Sequence, residues 1–288
     1  MQQPNFIHKK HLLFLLLLPL AILFSCQNEN ARVASKNKLP VEEKKDPGIS
    51  YDSLLKAFKS LRQDPLLKNA SVGYLIVDVT SADPVIVAEY HAKRPLIPAS
   101  TLKIFVTGAA LEFFGTQIIR EVTITNQMSV NWRSSKLLRR IGGKVYHEST
   151  TAAGARAIKE FWTAKGVETD GMNFDDGNGL SRNNAISPKQ LVDALYAMRT
   201  SPFFKTFYES LPLAGMTGTL RRAMKGSVAV GRIRAKTGTI ASVKSFAGYV
   251  HTVTGRNLIF SLIVNDYDGR VTVVKKKLEG ALISMAAI

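Results

Sequence analysis

The hydrophobic pattern divides the chain into an aperiodic apolar run near its start and a body in which periods of 3.6 and 2 take turns. Residues 12–24 form the run, broken only by Pro19. Residues 51–62 carry Leu54, Leu55, Phe58 and Leu61 at helical spacing, because positions three and four apart share one face of a helix. Residues 72–79 and 85–90 are β-rich and flank the turn sequence Ser81-Ala82-Asp83-Pro84, which predicts a hairpin. Helices are predicted over 100–114, 130–141 and 151–165. Another is predicted over 187–199, where Ser187 supplies the N-cap and Pro188 the first helical position. Residues 233–236, 246–252 and 258–264 read as strands, Gly255 turns the last two, and 271–285 read as a closing helix. Strands at both ends and helices between them imply an α+β fold. One antiparallel sheet of about five strands is covered by helices, with a helical subdomain.

Composition narrows the chemistry by exclusion. One cysteine among 288 residues rules out a disulfide framework or a multi-cysteine metal site. The histidines (His8, His11, His91, His147, His251) never reach metal-ligand spacing such as HExxH. No metal and no cofactor are therefore expected. The balance of 39 Lys+Arg against 22 Asp+Glu gives a formal net charge of +17. No zinc-finger, helix-turn-helix or RNP signature accompanies that charge, so solvated faces are expected and nucleic acid is not. An anionic lipid or wall polymer remains compatible with it.

The apolar run reads as an export signal. Lys9 and Lys10 precede it, and 13 residues are too few for a membrane span of about 20. It ends in Leu23-Phe24-Ser25-Cys26, which resembles a bacterial lipobox, with Phe24 bulkier than usual. Residues 1–25 are then a lipoprotein signal and Cys26 the lipidated N-terminus. Residues 26–49 are a polar, flexible tether and 50–288 the working domain. Lipidation at two or more acyl chains gives durable anchoring. The expected location is the bacterial cell envelope, facing the periplasm.

Three short motifs carry candidate chemistry. Ser100-Thr101-Leu102-Lys103 places an amine and a hydroxyl on one helix face, so the lysine can activate the serine once burial lowers its pKa. Ser53-Leu54-Leu55-Lys56 fits the same pattern, but its helix precedes every strand and adjoins the tether. Ser181-Arg182-Asn183 lies in a glycine-marked loop, and Ser129-Val130-Asn131 repeats the SxN pattern where it opens a predicted helix and invites a capping role. Lys236-Thr237-Gly238 ends a β-rich segment. An edge strand there can present its backbone to an extended peptide, Lys236 and Thr237 can bind a carboxylate, and Gly238 would let the substrate approach closely.

In that order SxxK, SxN and KTG are the signature of penicillin-binding proteins and serine β-lactamases. The wider blocks PASTLK, NQMSVNWRSSKLLRRIG, DGNGLSRNNAISPKQL, MTGTLRRAM and AKTGTIASVKSFAGYV resemble the type-4 penicillin-binding proteins, the D-alanyl-D-alanine carboxypeptidase/endopeptidases. The resemblance implies the penicillin-recognising serine-transferase fold and peptidoglycan stem peptides as substrate. It implies β-lactams as covalent inhibitors. Its site would comprise Ser100 as nucleophile, Lys103 as general base and Ser181 as proton relay. Asn183, Lys236, Thr237, Gly238 and Thr239 would bind the peptide, with the Ser100 and Thr239 N–H groups as oxyanion hole.

Only 80 residues separate Ser100 from Ser181, where the family usually carries two inserted domains. The chain reads as a short form without them. Two rivals stay open: a serine β-lactamase and a weakly active wall-binding protein. Class A β-lactamases use a glutamate between SxN and KTG to activate water. The acids between Ser181 and Lys236 are Asp193, expected on a solvated helix face, and Glu209, in a segment without the pattern around that glutamate.

Overall fold

The computed structural model describes residues 50–288; the apolar run, Cys26 and the expected tether lie outside the described residues. Helix α1 (Asp52–Arg62) buries Leu54, Phe58 and Leu61 and exposes Ser53 and Lys56 on its outer face. The hairpin of β1 (Ser71–Asp78) and β2 (Val85–Tyr90) follows as expected. A 3-10 turn, Ala99–Leu102, then leads into α2 (Lys103–Phe114), which is buried along almost its whole length.

Next come α3 (Ile119–Met128), α4 (Asn131–Tyr146) and α5 (Thr151–Ala164). The backbones of α4 and α5 touch, since a Cβ on Gly154 would sit 2.2 Å from the Leu138 carbonyl oxygen. Helix α6 (Pro188–Met198) opens on the expected Ser187 cap, completed by Gln190 into a reciprocal capping box. After α7 (Phe204–Ser210), the chain forms β3 (Ile233–Ile240), β4 (Val243–His251), β5 (Asn257–Asn265) and the closing α8 (Val271–Ala286).

The five strands form one antiparallel sheet in the order β2-β1-β5-β4-β3. Alternation along each strand splits the core in two. Val72, Tyr74, Ile76, Phe246, Phe260 and Leu262 face α1 and α8, while Leu75, Val77, Ala247, Ile259 and Ile263 face the central helices. Strand β3 is an edge strand, and it runs four residues past its expected end, so Thr237 and Gly238 lie inside it.

Two helices have no counterpart in the sequence reading. Helix α3 is rich in β-branched residues, a weak helix signal. Its tertiary contacts decide: Val122 is buried, and the Asn126 amide bonds the hydroxyls of Ser210 and Thr107. Helix α7 is only seven residues long and is held by Phe207 and Ser210.

Candidate active site

Ser100 sits at the mouth of the central helix layer because the turn before it is strained and pinned. Ala99 holds φ +47°, a left-handed conformation that costs a residue with a Cβ. The Pro98 carbonyl accepts from both Thr101 Oγ1 and Ser245 Oγ at 2.6 Å. Two glycines close over the turn. A Cβ on Gly179 would lie 2.0 Å from the Ala99 carbonyl oxygen, and one on Gly238 would lie 2.2 Å from Ser245 Oγ and 2.8 Å from the Pro98 oxygen. Gly238 was expected to make room for substrate. The described neighbours show that it makes room for the turn that carries Ser100.

Lys103 is fully buried, and its Nζ lies 2.7 Å from Ser100 Oγ. The amine also donates to Asn131 Oδ1 at 3.0 Å and to the Asn178 backbone carbonyl. Those two partners can only accept. A neutral amine has two protons and one lone pair, so with both protons committed the lone pair is left for the Ser100 hydroxyl proton. Burial drives the Lys103 pKa down to about 7, with Asp176 pulling the other way.

Lys236 is equally buried and donates to Ser129 Oγ at 2.9 Å and to the Thr237 carbonyl at 3.1 Å. Burial, then the charges of Lys103 and Lys244, hold its pKa well below the ordinary lysine value. Among the described residues no carboxylate bonds to Lys103 or Lys236. Two buried amines without a bonded carboxylate make the cleft a natural seat for an incoming one.

The SxN assignment needs correction. The serine and asparagine that meet the two lysines are Ser129 and Asn131, between α3 and α4, and not Ser181 and Asn183. Ser129 itself lies in the left-handed region at φ +54°, which ends α3 and turns Asn131 into the cleft. Ser181 and Asn183 have their described contacts with their own loop: the Asn183 N–H donates to Ser181 Oγ, and the Ser181 N–H to Asp176. That loop enters the cleft by backbone, through the Asn178 carbonyl. The sequence signal for Ser129 was present in NQMSVNWRSSKLLRRIG, but a helix start offered capping as a sufficient reason for it.

Asp176 holds that loop and was missed as well. Its carboxylate accepts the N–H groups of Asn178, Gly179, Leu180 and Ser181 and the Asn184 side-chain amide. Burial alone would raise its pKa, but these donors outweigh it and lower it. Asp193, expected on a solvated face, is buried at 3% exposure and pairs with Lys189 at 2.6 Å. Glu209 is exposed.

The remaining expected contacts divide. Thr237 Oγ1 donates to Thr219 Oγ1 at 3.0 Å, in the MTGTL segment beside the cleft. Thr239 Oγ1 instead accepts from Lys244 at 2.5 Å. The Ser100 N–H has no hydrogen-bond partner among the described residues, as an oxyanion donor requires. Ser53 and Lys56, the rival pair, lie exposed on α1, away from this cleft.

Comparison with known proteins gives a family and a shared fold. A model of the D-Ala-D-Ala carboxypeptidase 3 (S13) family matches residues 54–123 and 117–285. A D-alanyl-D-alanine carboxypeptidase of Actinomadura sp. (strain R39) is 35% identical over 148 residues, 50% of this chain and 27% of that protein. D-alanyl-D-alanine carboxypeptidase DacB of Haemophilus influenzae is 28% identical over 116 residues, 40% of this chain and 24% of that protein. The chain thus spans about a quarter of the length of these relatives. Among solved structures, penicillin binding protein 4 (dacB) from Haemophilus influenzae, complexed with a β-lactam, superposes with a TM-score of 0.67 at 13% identity, covering 78% of this chain and 99% of that one. The TLA-3 extended-spectrum β-lactamase superposes at 0.64 and 15% identity, covering 82% and 98%. These two likenesses concern the fold.

Proposed function

The chain belongs to the D-Ala-D-Ala carboxypeptidase 3 (S13) family, and we propose that it is a serine peptidase that removes the terminal D-alanine of peptidoglycan stem peptides through an acyl-enzyme on Ser100. One observation carries the reading: the buried Lys103 amine sits 2.7 Å from Ser100 Oγ, with its other neighbours able only to accept. A serine hydroxyl is a poor nucleophile until such a base takes its proton.

The reaction follows from the arrangement. The substrate carboxylate settles at Lys236, where an anion offsets the cost of a buried cation. Lys103 takes the Ser100 proton as Oγ attacks the penultimate carbonyl. The developing oxyanion is received by the N–H groups of Ser100 and Thr239, each such donor contributing about 3–4 kcal/mol. Ser129, which accepts from Lys236 at 2.9 Å, relays a proton to the departing D-alanine nitrogen. Water then attacks the ester, and Lys103 again serves as base. Cleavage at an internal D-alanyl cross-link would use the same groups.

β-Lactams would acylate Ser100 and stay there. Asp176 is the acid that bears on Lys103, but its oxygens are committed to four backbone N–H groups and Asn184, so it is poorly placed to activate water. The lipobox-like Leu23-Phe24-Ser25-Cys26 supports a lipid anchor on Cys26, a tether over 26–49 and a peptidase domain over 50–288. An envelope location facing peptidoglycan is in keeping with such an anchor, and no nucleic-acid-binding motif accompanies the positive charge. The test is release of D-alanine from a pentapeptide ending in D-Ala-D-Ala. Steady release by the wild type and none by Ser100→Ala is expected; release that survives Ser100→Ala, or none from the wild type, sinks the proposal.

A further inference from the structure

Strand β4 reaches through the sheet to both halves of the expected oxyanion hole. Ser245 faces the helices and fixes the Pro98 carbonyl, two residues before Ser100. Its neighbour Lys244 faces the opposite way, lies directly across from Thr239 in the β3–β4 ladder, and donates to the Thr239 hydroxyl at 2.5 Å. Lys244 is 4% exposed, and Thr239 is its one hydrogen-bond partner among the described residues. Its surroundings are otherwise the Phe246 ring at 4.8 Å and, on α8, the Lys275–Glu279 pair. Burial and then Lys275 lower its pKa to about 8, with Glu279 opposing.

A buried ammonium with no bonded carboxylate is a costly way to fill a gap between a strand and a helix, since an apolar side chain of that length would fill it without desolvating a charge. The cost is localised at one point, the residue that follows Lys236-Thr237-Gly238. β3 ends the sheet; its start is also bridged on the open side, Leu213 to Arg234, but its far end is paired with β4 alone and so depends on β4 for its position.

We propose that Lys244 is a positioning residue for acylation: from behind the sheet it holds Thr239, and with it the Thr239 N–H, in register with the Ser100 turn held by Ser245. The inference rests on the peptidase reading above. Lys244 touches no substrate in this account and acts through Thr239.

The experiment measures acylation by a fluorescent penicillin over a range of concentrations, separating the rate constant at saturation from the apparent Kd. The proteins are the wild type, Lys244→Met, Thr239→Val and the double variant, each with its melting temperature. Lys244→Met is expected to slow the rate constant about tenfold or more, a misplaced donor costing less than the roughly 10²–10³-fold of one lost outright, and to leave Kd within about threefold. The double variant should be no slower than the slower single variant, because both break the same link. Multiplying losses in the double variant, or an unchanged rate constant in Lys244→Met, overturns the proposal. If Lys244→Met does not fold, Thr239→Val carries the test by the same criterion. No labelling of the wild type would overturn the peptidase reading itself. Labelling of the wild type with unaltered variants would overturn this inference alone.

Discussion

Two loops reach the cleft with the same serine-x-asparagine pattern, and the fold uses them in opposite ways. Between α3 and α4 the side chains of Ser129 and Asn131 enter, each meeting one of the buried lysines. Before α6, the loop that ends in Ser181-Arg182-Asn183 enters by its backbone, through the Asn178 carbonyl and Gly179, while Arg182 and Asn183 stay exposed. The first loop supplies chemistry and the second supplies a wall and an acceptor. A carbonyl fixed in space serves Lys103 as well as a side chain does, provided something fixes the loop, and Asp176 does that with five accepted hydrogen bonds.

The largest expected effect breaks this comparison directly. Ser129→Ala and Asn131→Ala should each slow penicillin acylation by about 10²-fold or more, whereas Ser181→Ala and Asn183→Ala should stay within about threefold. Rate constants for the four purified variants settle the matter, and a reversed order would return the catalytic role to Ser181.

Next in size is Asp176→Asn, which leaves the loop amides with a poorer acceptor and removes a negative charge near Lys103. We expect about a tenfold loss of acylation rate. Asp176 raises the Lys103 pKa, so its loss lowers it further. The rise of acylation with pH, centred near 7 in the wild type, should therefore move to lower pH. A rightward shift in a pH–rate profile would contradict the assignment.

Much of the molecule was legible in the sequence, and the reasons are local. The β1–β2 hairpin, the Ser187 cap and the three C-terminal strands rest on periodicity and turn residues, which short windows contain. Ser100, Lys103 and Lys236 were legible because their motifs fix spacing along one element. The choice between two SxN tripeptides was not, because it depends on which loop the fold carries to Lys236, 107 positions beyond Ser129. The glycine-marked loop looked the more functional, yet Gly177 and Gly179 are there for packing against Ser135, Leu138 and Ala99. Asp176 and Lys244 bond within their own loop and hairpin, but what those bonds serve, the Asn178 carbonyl at Lys103 and the strand end beside the Ser100 turn, is brought together only by tertiary structure. Helix α3 was missed where burial of Val122 and the Asn126 bonds override weak propensity.

A smaller effect concerns stability. The folded pKa of Lys103 is depressed to about 7 from an ordinary 10.5. Between those values the unfolded chain binds more protons, so this group's destabilising contribution is full below about pH 7 and fades as pH rises toward 10.5. Lys103→Met should abolish acylation yet melt higher than the wild type at pH 6, by about 5 °C, with the gap narrowing toward pH 10. A lower melting temperature at pH 6 would show that the amine's hydrogen bonds outweigh its desolvation.

The smallest effect lies at the outer end of the second loop. Arg182 pairs with Asp266 at 3.0 Å, but the two side chains are 51% and 59% exposed. Arg182→Ala should change stability by no more than about 0.5 kcal/mol in denaturant unfolding, and a larger loss would mean that the loop is held from its rim as well as by Asp176.

The central claim is that Ser100, activated by Lys103, is the acyl-accepting group. Intact-mass measurement of the soluble domain after penicillin, followed by peptide mapping, tests it most directly. The account predicts one penicilloyl group, located on Ser100, that persists after free penicillin is removed. An unmodified protein, or a modification on Ser53 or any other residue, would contradict it.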